Sequence, residues 1–167
     1  VDIEKVLAEV IAREEPAPQR AADAAPLAAA TNRKVLIVDD SSVARKQIIR
    51  CLDALGLEVI ALNDGRQALD WLKAQADAGV QVADELLLMI SDIEMPEMDG
   101  YTLTAEVRND PRMKDLHVML HTSLSGVFNQ AMVRKVGADD FLAKFVPDEL
   151  ADRVIQRLQA LREGGNA

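Results

Sequence analysis

From Arg33 onward, short β-branched runs alternate with segments whose apolar residues recur at helical spacing. Lys34–Val38 (KVLIV) reads as a first strand that runs into two aspartates, Asp39 and Asp40. Ile48, Leu52 and Leu55 keep a helical period up to Gly56, a natural stop. Leu57–Leu62 reads as a second strand and Asn63-Asp64-Gly65 as a turn. Ala68, Leu69, Leu72 and Ala76 place a second helix around Trp71, whose ring is expected to be half-buried. Glu85–Ser91 (ELLLMIS) is apolar almost throughout, as a central strand covered on both faces must be. A loop through Met95-Pro96 leads to a helix near Tyr101–Val107. His117–Leu120 reads as a fourth strand, Val127–Val136 as a helix and Asp140–Ala143 as a fifth strand. Leu150, Val154, Leu158 and Leu161 mark the last helix. Five βα units in succession predict an α/β fold, a parallel five-stranded sheet with helices on both faces and right-handed crossovers.

Before Arg33 the pattern is different. Residues 2–14 can form one short helix with an apolar stripe of Val6, Leu7, Val10 and Ile11. Pro16, Pro18, a run of alanines and Pro26 follow, and residues 15–32 read as a linker with nothing to build a core. The chain opens on Val1 rather than Met, as a piece of a longer protein would.

Composition narrows the function classes. The 167 residues are 49% hydrophobic but only 3% aromatic, so aliphatic side chains must fill the core. The formal net charge of −9 argues against a nucleic-acid surface, which needs a clustered basic face. One cysteine, Cys51, cannot form an internal disulfide and suits a reducing, cytoplasmic compartment. No apolar run approaches the roughly 18 residues of a membrane span, and no signal peptide opens the chain.

In such a sheet, ligands bind outside the carboxyl ends of the strands, near the switch in strand order. Strand one ends in Asp39-Asp40, strand three in Asp92, strand four in Thr122 and strand five in Lys144. Clustered carboxylates repel one another, and a divalent cation resolves the conflict. A few hard oxygen ligands favour Mg²⁺, which leaves room for a phosphate oxygen. A carboxylate ending a buried strand beside that ion is a competent nucleophile for forming an acyl phosphate. A lysine and a hydroxyl on the other sides would stabilise the charge that spreads over the transferred group.

Four motifs in chain order carry a resemblance: VLIVDDS at 35–41, SDIEMPEMDG at 91–100, HTS at 121–123 and GADDFLAK at 137–144. Over roughly residues 33–162 the chain resembles the CheY-like receiver domains of two-component response regulators. The resemblance implies a (βα)5, flavodoxin-like, doubly wound sheet. It implies Asp92 as the phosphoacceptor and Mg²⁺ held by Asp40, Asp92 and the backbone carbonyl of Glu94, with Asp39 acting through water. Thr122 would be the switch hydroxyl, Lys144 the lysine that pairs with the phosphoryl group, and Phe141 the aromatic residue that turns inward on activation. Such a domain accepts phosphate from a histidine kinase and is not itself a turnover enzyme.

Finer resemblance points to the CheV-type chemotaxis coupling proteins. Asp2–Leu7 (DIEKVL) looks like the close of a CheW-like coupling domain. On that reading residues 1–14 are its remnant helix, 15–32 an Ala/Pro linker and 33–163 the receiver. The partners implied are a chemotaxis-type histidine kinase and, through the coupling domain, chemoreceptors at their arrays. The sequence departs from the family where Phe145 follows Lys144 in place of the usual proline, and Glu94, two residues after Asp92, adds negative charge where a hydrolytic water would approach.

Two other functions fit part of the pattern. An aspartate-based phosphohydrolase also places its nucleophile after a buried strand, and Asp92-x-Glu94 matches it partially. The receiver half of a transcriptional response regulator is the other. Single residues also have plainer roles. Asp39 and Asp40 could cap a helix, Thr122 could be a turn residue, and Lys144 a surface charge. Cys51, Met95 and Met98 are expected to pack, and His117 and His121 show no third ligand for a zinc site.

Overall fold

A computed structural model describes residues 33–122, 130–142 and 146–164. The expected opening helix, the linker, the start of the helix at Val127, and Ala143, Lys144 and Phe145 all lie outside the described residues. The strands are β1 (Lys34–Val38), β2 (Val59–Leu62), β3 (Leu86–Asp92), β4 (Val118–His121) and β5 (Asp140–Leu142). The helices are α1 (Ser42–Ala54), α2 (Gly65–Asp77), α3 (Val82–Glu85), α4 (Gly100–Asn109), α5 (Gln130–Val136) and α6 (Pro147–Gly164). All strand pairings are parallel, and the order across the sheet is β2-β1-β3-β4-β5. This is the doubly wound, flavodoxin-like fold.

Strand alternation divides the apolar residues into two cores. Val35, Ile37, Leu88, Ile90 and Met119 face Ile48 and Leu52 of α1 and Leu150, Val154 and Leu158 of α6. Leu36, Val38, Met89, Val118 and Leu120 face Leu69 and Leu72 of α2, Leu103 and Val107 of α4, and Val133 of α5. Every residue of β3 is buried, because the central strand is covered from both sides. Trp71 is half-buried against the second core, and Cys51 packs at the edge of the first.

Several boundaries differ from the sequence pattern for local reasons. β2 starts at Val59, because Leu57 turns its N–H back to the Leu52 carbonyl at 3.2 Å and closes the end of α1. Gly56 makes that closure possible with φ of 81°, which side-chain-bearing residues avoid. Asp64 is the N-cap of α2 rather than a turn residue, accepting from the Gln67 N–H at 2.9 Å. Glu85 ends the short helix α3, so β3 starts one residue later and runs on through Asp92. β4 likewise runs one residue further than expected, through His121, which pairs with Asp92.

Two arginines fasten the frame. Between Lys34 and Val35 the register against β3 slips, and Leu87 is the extra residue. Arg157 of α6 donates to the Leu87 carbonyl at 3.1 Å. Arg108, in the last turn of α4, donates to the carbonyls of Gly137 (2.8 Å), Lys114 (2.8 Å) and Leu116 (2.6 Å) and to the Asp139 carboxylate (2.7 Å). Among the described residues, no helix is long and apolar enough to cross a membrane.

At the start of α4, Gly100 lies directly against the end of β3. A Cβ there would fall well inside contact with the Asp92 carbonyl oxygen and 3.0 Å from the Ile93 Cα, both backbone atoms that cannot yield cheaply. Gly100→Ala is therefore expected to cost about 1–3 kcal/mol, the usual penalty of overpacking. Urea unfolding at neutral pH checks this; an unchanged midpoint would mean the loop relaxes freely.

Candidate phosphoacceptor site

The strand order decides where the chemistry gathers. From β1 the chain moves outward to β2, and from β3 it moves the other way to β4. The connections after β1 and β3 therefore part and leave a crevice at their carboxyl ends. Asp39 follows β1, Asp92 ends β3, His121 ends β4 and Thr122 follows it. Asp92 and His121 are direct register partners. Alternation puts Asp92 and His121 on the same face as Ile90 and Met119, the face covered by α1 and α6.

Asp39 is fixed by its surroundings. Its N–H donates to the Leu62 carbonyl at 3.2 Å, and its own carbonyl accepts from Arg45 at 2.6 Å. Its Oδ1 accepts from the Ser41 N–H at 2.8 Å. Ser41, not the aspartate pair, caps α1, accepting from the Ala44 N–H at 3.2 Å. Asp40 is left exposed at the mouth of the crevice.

The remaining oxygen of Asp39, Oδ2, is buried and has no hydrogen-bond partner among the described residues. The same holds for Oδ1 of Asp92 and for both ring nitrogens of His121. One ligand atom from each of these three residues can be chosen so that all lie within 4.8 Å of one another. His121 Nε2 stands 3.3 Å from Asp39 Oδ2, close enough for charge interaction but without the angle of a hydrogen bond. Buried carboxylate oxygens left without donors fit a divalent cation, and with Asp40 at the rim the donor set is the oxygen-rich kind Mg²⁺ takes.

Thr122 is buried at the same edge, its N–H donating to the Leu142 carbonyl at 3.3 Å. Phe141 is half-buried against the second core and stands opposite Leu120 in the sheet. Glu94 is exposed in the loop after β3, and Met95 and Met98 pack beneath it. Lys144 lies outside the described residues. His117 is not part of the site: its Nδ1 lies 3.8 Å from Asp139, and burial holds its pKa below the ordinary value. His121 is the residue whose place the sequence pattern does not show. Paired with His117 it offers no third ligand, but the pairing of β4 with β3 sets it beside Asp92 and away from His117.

Burial pushes the Asp92 carboxyl up to about 6, helped by the negative charges of Asp39 and Asp40 and opposed by His121 and the Glu94 N–H. An acid whose pKa rises on folding holds its proton more tightly in the folded chain. Between the ordinary 3.8 and about 6, folding takes up a proton, so stability falls as pH rises through that window. The full loss, on the order of 3 kcal/mol, is present above it. In metal-free buffer, Asp92→Asn should remove this slope: the variant gains on the parent from pH 4 to pH 7 in denaturant titrations. A gap that does not change with pH would show that Asp92 ionises normally.

Comparison with known proteins agrees with this arrangement. The family model for the response regulator receiver domain matches residues 35–155. Chemotaxis protein CheV1 of Helicobacter pylori is 32% identical over 129 residues, which are 77% of this chain and 39% of that protein. The "Probable transcriptional regulator ycf27" of Guillardia theta is 34% identical over 125 residues, 74% of this chain and 44% of that protein. The chain thus spans about two fifths of the length of these relatives. The receiver domain of a signal transduction histidine kinase from Syntrophus aciditrophicus superposes with a TM-score of 0.65 at 30% identity, covering 77% of this chain and 92% of that one. With its sheet order, its acidic crevice and this match over most of its described length, the chain belongs to the response regulator receiver domain family.

Proposed function

We propose that the chain is the phosphorylation-dependent receiver of a chemotaxis adaptor, accepting a phosphoryl group on Asp92 from a histidine kinase in the presence of Mg²⁺. The observation that carries this is the buried Asp92 carboxylate at the end of the central strand, with one oxygen unpartnered among the described residues and Asp39 beside it. An oxygen of Asp92 attacks the phosphorus of the donor phosphohistidine. The new O–P bond forms as the N–P bond breaks, and the leaving imidazole takes up a proton. Asp40, Asp92 and the Glu94 carbonyl, with Asp39 through water, would hold Mg²⁺, which would supply positive charge against the transferred oxygens. Thr122 then hydrogen-bonds the phosphoryl group, Lys144 pairs with it, and Phe141 turns inward from its half-exposed place on β5. The product is an aspartyl phosphate held stoichiometrically, so the chain acts as a switch and not as a turnover phosphohydrolase.

The adaptor part of this reading is supported by the match to CheV1 and by the DIEKVL segment before the linker. In the intact protein a CheW-like domain would engage chemoreceptors and the kinase at cytoplasmic arrays, and the state of Asp92 would bias that docking. A second reading, the receiver half of a transcriptional regulator, is favoured by the match to the ycf27 relative. Association of the intact protein with receptor signalling tips, against specific DNA binding, separates the two.

Incubation with acetyl phosphate and Mg²⁺ should add one phosphoryl mass to the parent and none to Asp92→Asn, read by intact-mass spectrometry. Chelation of Mg²⁺ should abolish the gain. Equal phosphorylation of Asp92→Asn would sink the assignment of the acceptor.

A further inference from the structure

One element of the crevice is unused by that chemistry. His121 is buried, with 2% of its surface exposed, at the end of the strand that pairs with β3. Neither ring nitrogen has a hydrogen-bond partner among the described residues. One ring nitrogen of His121, one carboxylate oxygen of Asp39 and one of Asp92 lie within 4.8 Å of one another. A histidine placed merely to fill core space would bury its ring among aliphatic side chains and bond its nitrogens to backbone. This one turns a nitrogen to 3.3 Å from a carboxylate oxygen, off the line of a hydrogen bond. Two carboxylate oxygens and an imidazole nitrogen converge there, and each of the three residues has a buried polar atom without a hydrogen-bond partner among the described residues; such a set suits a cation that binds both oxygen and nitrogen.

That chemistry separates metals. Mg²⁺ takes hard oxygen and keeps its waters, and an imidazole nitrogen offers it little. First-row transition cations of borderline softness take imidazole readily, and their affinity for mixed nitrogen and oxygen sites rises along the series from Mn²⁺. We propose that Asp39, Asp92 and His121 form a site for a divalent transition cation of the Mn²⁺, Co²⁺ and Zn²⁺ class, with His121 as the ligand that selects it over Mg²⁺. The site differs from the Mg²⁺ set proposed above, in which Asp40 and the Glu94 carbonyl are ligands and His121 has no part. It rests on that reading only in sharing Asp39 and Asp92.

The direct probe is Mn²⁺ added to the whole chain and examined by pulsed electron paramagnetic resonance. A bound imidazole shows itself as nitrogen coupling to the metal. The coupling is expected in the parent and in His117→Gln, the chain's only other histidine being ruled out that way. It should vanish in His121→Leu, whose apolar side chain suits a buried strand end, and in His121→Gln, which keeps the pocket polar. By calorimetry, both His121 variants should bind Co²⁺ at least about tenfold more weakly than the parent, while Mg²⁺ affinity changes by less than about twofold. No nitrogen coupling in the parent, coupling that survives in either His121 variant, or Co²⁺ affinity unchanged by both substitutions would overturn the site. Acetyl phosphate labelling of the same variants with Mg²⁺ reports separately on the signalling reading. Retained labelling together with lost nitrogen coupling is the result expected if both are right.

Discussion

Because β1 pairs with β3 at the centre of the sheet, Asp39 and Asp92 stand side by side although they are far apart in the sequence. In a pocket that water barely enters, two carboxylates at such range repel strongly and each loses its hydration. Much of the surrounding structure is intelligible as the means of holding them there. The Ser41 cap, the Arg45 contact to the Asp39 carbonyl and the close seat of Gly100 on the Asp92 backbone fix the two main chains. None of these contacts removes the repulsion. They keep the chain from relaxing away from it.

The repulsion is not spread evenly over the two groups. Asp39 gives one oxygen to the Ser41 N–H, and Asp92 is eased by the Glu94 N–H; among the described residues Oδ2 of Asp39 and Oδ1 of Asp92 have no hydrogen-bond partner. Each carboxylate is therefore tied down on its backbone side, and its unpartnered oxygen is the atom that a cation, or water around a cation, would engage. The raised pKa of Asp92 is the same fact in another form: with no cation present, a proton is the simplest relief.

The strand ends were legible because they depend on local pattern alone. An apolar run followed by Asp39, Asp92 or Thr122 shows itself in the sequence, and the order of βα units fixes that these ends share one edge. What was hidden depends on register. His121 gains its meaning from standing opposite Asp92, and a strand read one residue short leaves it outside the sheet. Likewise Arg108 reads as an ordinary basic residue at a helix end. Its hold on the carbonyls of Gly137, Lys114 and Leu116 needs three segments brought together by the fold. The short helix α3 was missed because Val82–Glu85 is too brief to show a period, and only its bonds back to Gln81 define it.

The edge is also bonded to the next strand. Thr122 is tied through its N–H to the Leu142 carbonyl, so it is mechanically joined to β5. On β5 neighbouring residues face opposite sides of the sheet: Asp140 is paired with Arg153 of α6, and Phe141 is half-buried against the second core. Under the proposed function, a pull on Thr122 toward a phosphoryl group would be carried through this bond to β5, and so to both faces of the sheet at once: to α6 through the ion pair of Asp140, and to the second core through the ring of Phe141.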